Sequence, residues 1–293
     1  MGEAASLSAA LLWAFAVSLF RPAIREYGAR SVNLAKCTIA AVALGITAVA
    51  AGQGSLLFGS HGKAWWILVI SGVIGLSIGD TALFRAVDEL GPPRTLLLQS
   101  LVPLFTAAMA AVWLEEWPRT HEWLGAGIVL AGVLWVVGEG TGRDWRTVPW
   151  SGLSFATVSA LCQATGIVMS KYGMQDVPIL AASFLRIAAA ALGLWLWLPF
   201  GGGGGHLKRL VREGAGPRVA GASLIGTYLA ILLMMAGVAF TPAAVASVLL
   251  STTPIFSLFI DARLTGRPLS WRGVAGAALA VVGVAFMTLA GGD

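Results

Sequence analysis

Apolar residues fill this chain in long runs, and short polar segments separate each run from the next. A run of about 20 apolar residues is the length that an α-helix needs to cross the ~30 Å hydrocarbon core of a membrane. Ten such runs predict ten transmembrane helices, at 5–24, 31–51, 64–87, 93–114, 122–139, 149–170, 178–199, 218–239, 243–263 and 271–290. The remaining segments are short, so the pattern predicts an all-α membrane protein without a sizeable soluble domain.

The composition supports a protein that lies in the lipid of a cell membrane. Of the 293 residues, 57% are hydrophobic and 11% are charged, whereas a soluble domain has about 25% charged residues. The first residues, MGEAASLSAALLW, lack the basic region of a secretory signal, which indicates a retained first helix. We therefore expect a multi-pass protein of the bacterial inner membrane.

The basic residues predict the orientation of the chain in the membrane. The side that holds both termini receives three of the 19 Lys and Arg residues, namely Lys63, Arg119 and Lys171. Arg186 is assigned to neither side, and the other fifteen are placed on the opposite side. Because cytoplasmic loops carry the excess of Lys and Arg, both termini are predicted to face outward. The scatter of these cations among loops argues against a nucleic-acid partner, despite the net charge of +5.

The second half of the sequence repeats the first. With an offset of 151 positions, residues 90–135 align with 241–286 without a gap and with nine identities, including Pro103 with Pro254. The segments GAGIVLAGV and GAALAVVGV correspond in the same way. We predict two five-helix repeats, 1–147 and 148–293. Five crossings is an odd number, so the second repeat is expected to be inverted, a plan that recurs in secondary transporters with a substrate site near the membrane midplane.

Two longer stretches resemble a known family. In the first half GDTALFRAVDELGPPRTLLLQSLVPLFTAAMAAVWLEE precedes GAGIVLAGV, and in the second GTYLAILLMMAGVAFTPAAVASVLLSTTPIFSLF precedes GAALAVVGV. This pattern resembles the drug/metabolite transporter superfamily, in its EamA-type ten-helix family. The resemblance implies a secondary transporter, more often an exporter, of a small polar or zwitterionic metabolite such as an amino acid, working by alternating access. It also implies that spans one, three, four, six, eight and nine line the path, with spans five and ten outside. A lipid or amphiphile flippase with the same fold is the alternative.

A proline lies near the middle of the fourth and ninth spans. Pro103 and Pro254 each remove a helical hydrogen bond and clash with the carbonyl four residues back. In lipid, the carbonyl that is freed needs a neighbouring group or water in a cavity. We predict hinges that line a cavity, with a static kink for packing as the alternative. Polar side chains that could contact the substrate stand just before the prolines: Gln99, Ser100, Thr252 and Thr253.

Charged residues inside spans point to internal pairs or to a transport pathway, since each costs at least ~2.5–3.5 kcal/mol to insert. Lys36 shares a helix face with Asn33 in the second span, and Asp80 lies at a similar depth in the third. A salt bridge between Lys36 and Asp80 is predicted, with Arg85 as a second partner of the carboxylate. Alternatively, Asp80 carries protons as the coupling ion. The two roles conflict, because a firmly paired carboxylate stays ionised.

Arg186 lies in the seventh span, and the neighbouring eighth span contains no acid. One interpretation places Arg186 in the cavity beside Tyr228 and Gln163, where it binds an anionic group of the substrate. The other satisfies its guanidinium with backbone carbonyls or lipid headgroups. Trp13 and Tyr228 are candidates for stacking on a ring of the ligand.

Other function classes receive little support from the sequence. There is no HExxH motif, and the three histidines all lie in loops, so we predict no enzyme. We also expect no cofactor and no metal, since two cysteines are too few for a metal site.

Glu115 and Glu116 are interpreted as solvated side chains at the end of the fourth span. Two glycine pairs at helical spacing predict close packing, within the chain or in a homodimer: Gly125 with Gly132, and Gly276 with Gly283.

Overall fold

The computed structural model describes residues 1–58, 62–140, 149–198, 203–213, 216–265 and 270–289. These ranges are almost entirely helical and contain no β-strand. Within them, eight helical stretches are long and apolar enough to cross a membrane: Gly2–Tyr27, Ala29–Ala50, Lys63–Leu90, Thr120–Gly138, Trp150–Gly173, Ile179–Trp197, Gly216–Phe240 and Ala243–Ile260. Two further apolar helices, Val102–Trp113 and Trp271–Phe286, are shorter. The prediction of an all-helical protein with many candidate membrane spans is confirmed.

The helices follow the predicted apolar runs closely. The first half contains α1 (Gly2–Tyr27), α2 (Ala29–Ala50), α3 (Gly54–Phe58), α4 (Lys63–Gly72), the π-helical turn π1 (Val73–Gly79), α5 (Asp80–Leu90), α6 (Pro92–Gln99), α7 (Val102–Trp113) and α8 (Thr120–Gly140). The second half contains α9 (Trp150–Gly173), α10 (Ile179–Trp197), α11 (Gly203–Arg212), α12 (Gly216–Ser223), the π-helical turn π2 (Leu224–Leu229), α13 (Ala230–Phe240), α14 (Ala243–Leu250), α15 (Thr253–Thr265) and α16 (Trp271–Leu289).

Two glycines allow long helices to reverse direction within a single residue. Gly28 follows α1 with φ 77° and Gly91 follows α5 with φ 79°, and in each case the next helix begins at the following residue. A positive φ is accessible to glycine at little cost because it has no Cβ. These turns keep α1 beside α2 and α5 beside α6.

Both predicted prolines lie directly after a break in the helix. α6 ends at Gln99 and α7 begins at Val102, while α14 ends at Leu250 and α15 begins at Thr253. Each proline is the second residue of the new helix, where a missing N–H leaves no hydrogen bond unmade. At the second break, the Thr253 hydroxyl donates to the Leu250 carbonyl at 2.7 Å. The predicted interruptions are confirmed, and their role as hinges stays a prediction.

Two wide helical turns had no signal in the sequence. π1 begins at residue 73 and π2 at residue 224, which are separated by 224 − 73 = 151 positions, the offset of the internal alignment. Each wide turn lies against a neighbouring helix at a glycine. A Cβ at Gly226 would overlap the side chain of Ala16, and a Cβ at Gly75 would lie 3.5 Å from the Cα of Gly166. Each wide turn therefore packs closely against a helix of the other half, π1 against α9 and π2 against α1.

The predicted glycine faces pack against each other inside the chain. A Cβ at Gly132 would lie 2.5 Å from the carbonyl oxygen of Gly276, and one at Gly283 would lie 2.6 Å from the backbone nitrogen of Val129. Larger residues at these positions would force α8 and α16 apart. Packing within the chain thus accounts for both faces.

The outer surface of the bundle is apolar, while several charged side chains are buried inside it. Large side chains such as Ile46, Val112 and Leu196 are exposed, whereas Lys36 and Arg186 are buried. Contiguous exposed apolar surface of this kind is rare in soluble monomers. The arrangement is that of a multi-pass membrane protein.

Candidate functional site

A central cavity lies between helices of both sequence halves. It has a volume of about 980 Å³ when the open solvent at its mouth is included. Spans one, three, four, six, eight and nine all contribute to its wall, and α2 adds Lys36. Eight of the predicted site and hinge residues line it: Trp13, Lys36, Asp80, Gln99, Ser100, Gln163, Thr253 and Pro254. Most of the remaining wall is apolar.

A buried ion pair supplies the charged groups of this wall. Lys36 Nζ lies 2.5 Å from Asp80 Oδ2, and the two residues are only 1% and 3% exposed. Removing one member of such a pair costs about 3–5 kcal/mol, because the other charge is left buried and uncompensated. The predicted salt bridge is confirmed.

Neighbouring side chains surround both charges of the pair. Lys36 Nζ lies 4.8 Å from the ring centroid of Trp13 and 5.0 Å from that of Phe84, which places the ammonium within reach of two aromatic faces. Gln163 Nε2 donates to Asp80 Oδ1 at 3.4 Å. Each carboxylate oxygen of Asp80 thus has a hydrogen-bond donor.

The second partner predicted for Asp80 was wrong. Arg85 is exposed, and its guanidinium carbon lies 5.4 Å from the ring centroid of Phe155. The side chain projects away from the cavity because it follows Asp80 by five residues, which is more than one helical turn. Gln163 occupies the place that was assigned to Arg85.

Asn33 supports the ion pair from behind the cavity wall. Its Nδ2 donates to the carbonyl of Leu76 within π1 and to the hydroxyl of Thr81, both at 2.9 Å. A wide turn changes which carbonyls find helical partners, and a side-chain amide can take the place of the missing N–H. Asn33 therefore fixes the turn that precedes Asp80, and it does not line the cavity.

Arg186 lies behind the cavity wall, not in it. Its Nη1 donates to the sulfur of Met235 at 3.0 Å, and a Cβ at Gly166 would lie 3.4 Å from its Nη2. The residue is 2% exposed. Its Nε has no hydrogen-bond partner within the described ranges. Glycines of π1 and α9 leave space for the guanidinium on the far side of the wall. Tyr228 bonds to Thr47 and Gln163 bonds to Asp80, and a contact of Arg186 with the substrate stays a prediction.

Three other predicted residues also lie away from the central cavity. Tyr228 Oη and Thr47 Oγ1 form a hydrogen bond of 3.0 Å, which directs the tyrosine toward α2. The Thr252 hydroxyl donates to the carbonyl of Leu249 at 2.6 Å, within the break between α14 and α15. Pro103 faces a second, smaller groove of about 470 Å³ with an apolar wall. A substrate contact by these residues stays a prediction.

A cluster of polar contacts joins helix ends where α1 begins, and we call it the end clasp: Glu116, Lys171, Thr241 and Ala243. Lys171 Nζ lies 2.6 Å from Glu116 Oε1 and donates to the Thr241 carbonyl at 2.6 Å. The Ala243 N–H donates to Glu116 Oε2 at 2.9 Å. Glu116 was interpreted as solvated, which was wrong. The available signal was the opposite charge of Lys171 on the same predicted side of the membrane.

Glu115 turns the chain so that Glu116 can reach the end clasp. It has φ 58°, a left-handed conformation that side chains other than glycine rarely adopt. The N–H of Glu116 then donates back to the carbonyl of Ala110 at 3.2 Å, which closes the end of α7. Local strain at Glu115 thus places the carboxylate of Glu116.

Metal-binding groups do not cluster in the part of the chain that the structure describes. No set of three or more His, Cys, Asp or Glu residues there could hold a metal ion.

Comparisons with known proteins agree with one another. The EamA-like transporter family matches residues 1–138 and 150–289. The chain is 27% identical over 171 residues to a probable terminal-alkyne amino-acid exporter of Streptantibioticus cattleyicolor, covering 55% of this chain and 56% of that protein. It is 27% identical over 131 residues to Protein LicB of Haemophilus influenzae, covering 44% of each. The chain thus spans about half the length of these curated relatives.

A solved crystal structure has the same fold. It superposes with a TM-score of 0.76 and 20% identity, covering 100% of this chain and 98% of the other. At this identity the likeness describes the fold alone.

Proposed function

Because the chain belongs to the EamA-like transporter family, we propose that it exports a small polar or zwitterionic metabolite, such as an amino acid, as a secondary transporter. The observation that carries this proposal is the buried pair of Lys36 and Asp80 in the wall of the central cavity. Its two charges are complementary to the carboxylate and ammonium groups of a zwitterion. The relative named as a probable amino-acid exporter supports the same substrate class and direction. Polar groups in the wall favour such cargo over the acyl chains of a lipid.

Our proposal for the architecture is ten crossings in two inverted halves, 1–147 and 148–293. Helices α6 and α7 would cross together as one interrupted rod, as would α14 and α15, and α16 would be the tenth crossing. Support comes from the common offset of 151 residues between the prolines and between the wide turns. The two stretches that match the family fall in the same two halves.

Alternating access would use the end clasp as a gate. The segments that it joins, α7, α9 and the turn between α13 and α14, belong to spans that line the cavity. Closure there would seal the side of the membrane that holds both termini, which the Lys and Arg distribution assigns to the outside of the cell. Movement of half-helices about the breaks at Pro103 and Pro254 would open it.

The pairing of Asp80 supports its role as an ionised partner of Lys36. Proton carriage by Asp80 would require Lys36 to withdraw first, because a close cation stabilises the charged carboxylate. Transport by Asp80→Asn that keeps full sensitivity to a proton gradient would remove Asp80 from coupling.

The test begins with a thermal-stability screen of the purified protein against amino acids, sugars, nucleotides and organic cations. A compound that binds the folded form stabilises it by about 2.7 kcal/mol at a concentration of 100 times its Kd. The compound that stabilises most is then measured in proteoliposome counterflow. We expect the double variant Lys36→Met with Asp80→Leu to lose transport, while Arg209→Gln, which breaks an exposed pair with Glu213, retains it. Equal transport by both variants would contradict the proposal.

Orientation and crossing number have a separate test. In a background of Cys37→Ser and Cys162→Ser, single cysteines at the partly exposed Glu3 and at the exposed Arg212 are labelled with a membrane-impermeant thiol reagent on intact cells. The proposal predicts labelling of Glu3→Cys on intact cells and of Arg212→Cys only after permeabilisation. The reverse pattern would overturn the orientation.

A further inference from the structure

Most Ser and Thr hydroxyls inside the helices of this bundle donate to a carbonyl of the preceding turn, as Thr38 does to Leu34 at 2.8 Å and Thr106 does to Val102 at 2.8 Å. A helix brings that carbonyl within reach, and a dry interior favours the bond. Among the described helical residues, three buried hydroxyls have no hydrogen-bond partner, namely those of Ser6, Ser159 and Thr227. Of these three residues, Thr227 alone lines the central cavity.

Thr227 is an exception to this pattern. Its side chain is 1% exposed, and its hydroxyl has no hydrogen-bond partner among the residues that the structure describes. It lies in π2, where the backbone pairs residues five apart and the carbonyls are spaced differently from those of an α-helix. Its hydroxyl is therefore a buried hydrogen-bond donor that no described residue uses.

The wall of the cavity contains Thr227, and the other hydroxyls there are already engaged. Four of them donate to carbonyls three or four residues earlier in the chain: Ser100 to Leu96, Ser247 to Ala244, Ser251 to Val248, and Thr253 to Leu250. The amine of Lys36 and the amide of Gln163 both point at Asp80. Among the described lining hydroxyls, that of Thr227 alone keeps an unused donor.

The corresponding wide turn in the first half has no such atom. Position 76, which is 151 residues before Thr227, is Leu76, and its carbonyl accepts from Asn33. The next residue, Ser77, donates to the carbonyl of Ala190 at 2.8 Å. Of the two wide turns, only the second therefore has a cavity-lining residue with an unused hydroxyl.

We infer that the Thr227 hydroxyl binds the substrate by donating a hydrogen bond to one of its oxygens, in a carboxylate or hydroxyl group. This inference rests on the proposed function, because it assigns one more contact to the same cavity. It makes Thr227 a determinant of specificity, since a substrate without that oxygen would leave the hydroxyl buried and unpaired. The class selected is that of oxygen-bearing metabolites, including amino acids, over purely cationic amines.

The test compares Thr227→Val, Thr227→Ser and Thr106→Val. Thr106 is the matched control, because its hydroxyl is buried, bonded within its own helix and outside the cavity wall. The probe is L-leucine, with its decarboxylated analogue isoamylamine as the ligand that lacks the carboxylate, and binding is measured by thermal shift. Thr227→Val should weaken L-leucine binding about threefold to tenfold, while Thr227→Ser and Thr106→Val stay within about twofold of wild type. The unliganded melting temperature of Thr227→Val should not fall, since the change removes an unpaired buried hydroxyl.

Wild-type affinity of Thr227→Val for L-leucine would overturn the inference and leave the proposed function standing. A second measurement does not depend on L-leucine. In the background without native cysteines, Thr227→Cys should react with a small methanethiosulfonate reagent, and Thr106→Cys should not. If the wild-type protein binds no compound of the wider screen, the proposed function fails, whereas an unreactive Thr227→Cys overturns only the inference.

Discussion

The two halves of the molecule bury a cation at the same place and treat it differently. Lys36 is the eighth residue of α2, which begins at Ala29, and Arg186 is the eighth residue of α10, which begins at Ile179. Lys36 meets the carboxylate of Asp80 at 2.5 Å. Position 231, 151 residues after Asp80, holds Ile231, and Arg186 donates to the sulfur of Met235. One half thus presents an ion pair to the cavity, while the other places its cation behind the wall.

The same arrangement of helices thus holds a buried cation in two different environments. A charge that is paired within the cavity wall is available to a polar ligand, because a ligand can exchange bonds with both partners. A guanidinium enclosed by glycines and a thioether has no such access. The second half therefore repeats the helices of the first half without repeating the contacts of its buried cation. Each buried charge has to be interpreted from its own contacts.

Loss of Lys36, the buried cation of the first half, should lower the free energy of unfolding the most. Lys36→Met leaves the Asp80 carboxylate buried without its partner, so we expect the free energy of unfolding to fall by about 3–5 kcal/mol. Adding Asp80→Leu should restore most of the lost stability, since neither charge of the pair then remains. Chemical unfolding of the purified single and double variants in detergent measures both free energies. Wild-type stability of Lys36→Met would mean that Asp80 is already neutral.

The second half can be given the acid that it lacks. Ile231 lies one helical turn before Met235 and on the same face, so Ile231→Asp should place a carboxylate near Arg186. In a double-mutant cycle with Arg186→Met, we expect a favourable coupling of about 2 kcal/mol. Ile231→Asn is the uncharged control and should show less coupling. Additive effects would show that the two side chains do not meet.

The end of α7 offers a smaller contrast between the halves. Glu115 has a left-handed φ of 58°, whereas the residue at the same offset in the second half is Gly266, which lies outside the described ranges. Glu115→Gly should raise the free energy of unfolding by about 0.5–1 kcal/mol, because glycine adopts this conformation without strain. Unfolding at fixed detergent concentration measures the change. Glu115→Ala keeps a Cβ and should give no such gain, and an equal gain from alanine would exclude backbone strain as the cause.

Removal of Arg186, the buried cation of the second half, should change the free energy of unfolding the least. Arg186→Met replaces a charge that has one neutral acceptor with a side chain suited to an apolar interior, so we expect a change in the free energy of unfolding within about 1 kcal/mol. The same unfolding measurement applies. A cost as large as that of Lys36→Met would show that Arg186 is compensated after all, and the contrast between the halves would disappear.

Much of the fold could be predicted because lipid imposes a strict length and composition on each crossing. The pairing of Lys36 with Asp80 was also predictable, since two opposite charges at one depth have few alternatives in an apolar interior. The wide turns were not predictable, because π1 and π2 differ from α-helix by the placing of one residue and no residue type marks them. The position of Arg186 behind the cavity wall was not predictable either, because it depends on the space that Gly75 leaves in π1.

The wide turns also have a mechanical consequence. Each contains one residue more than regular α-helix needs for the same advance, and one residue corresponds to about 100° of rotation about the axis. If π1 tightened, the face of α5 would swivel by that angle relative to α4, and Asp80, its first residue, would turn away from Lys36. The extra residue in each wide turn therefore permits a rotation of the adjoining half-helix that would change which of its side chains face the cavity.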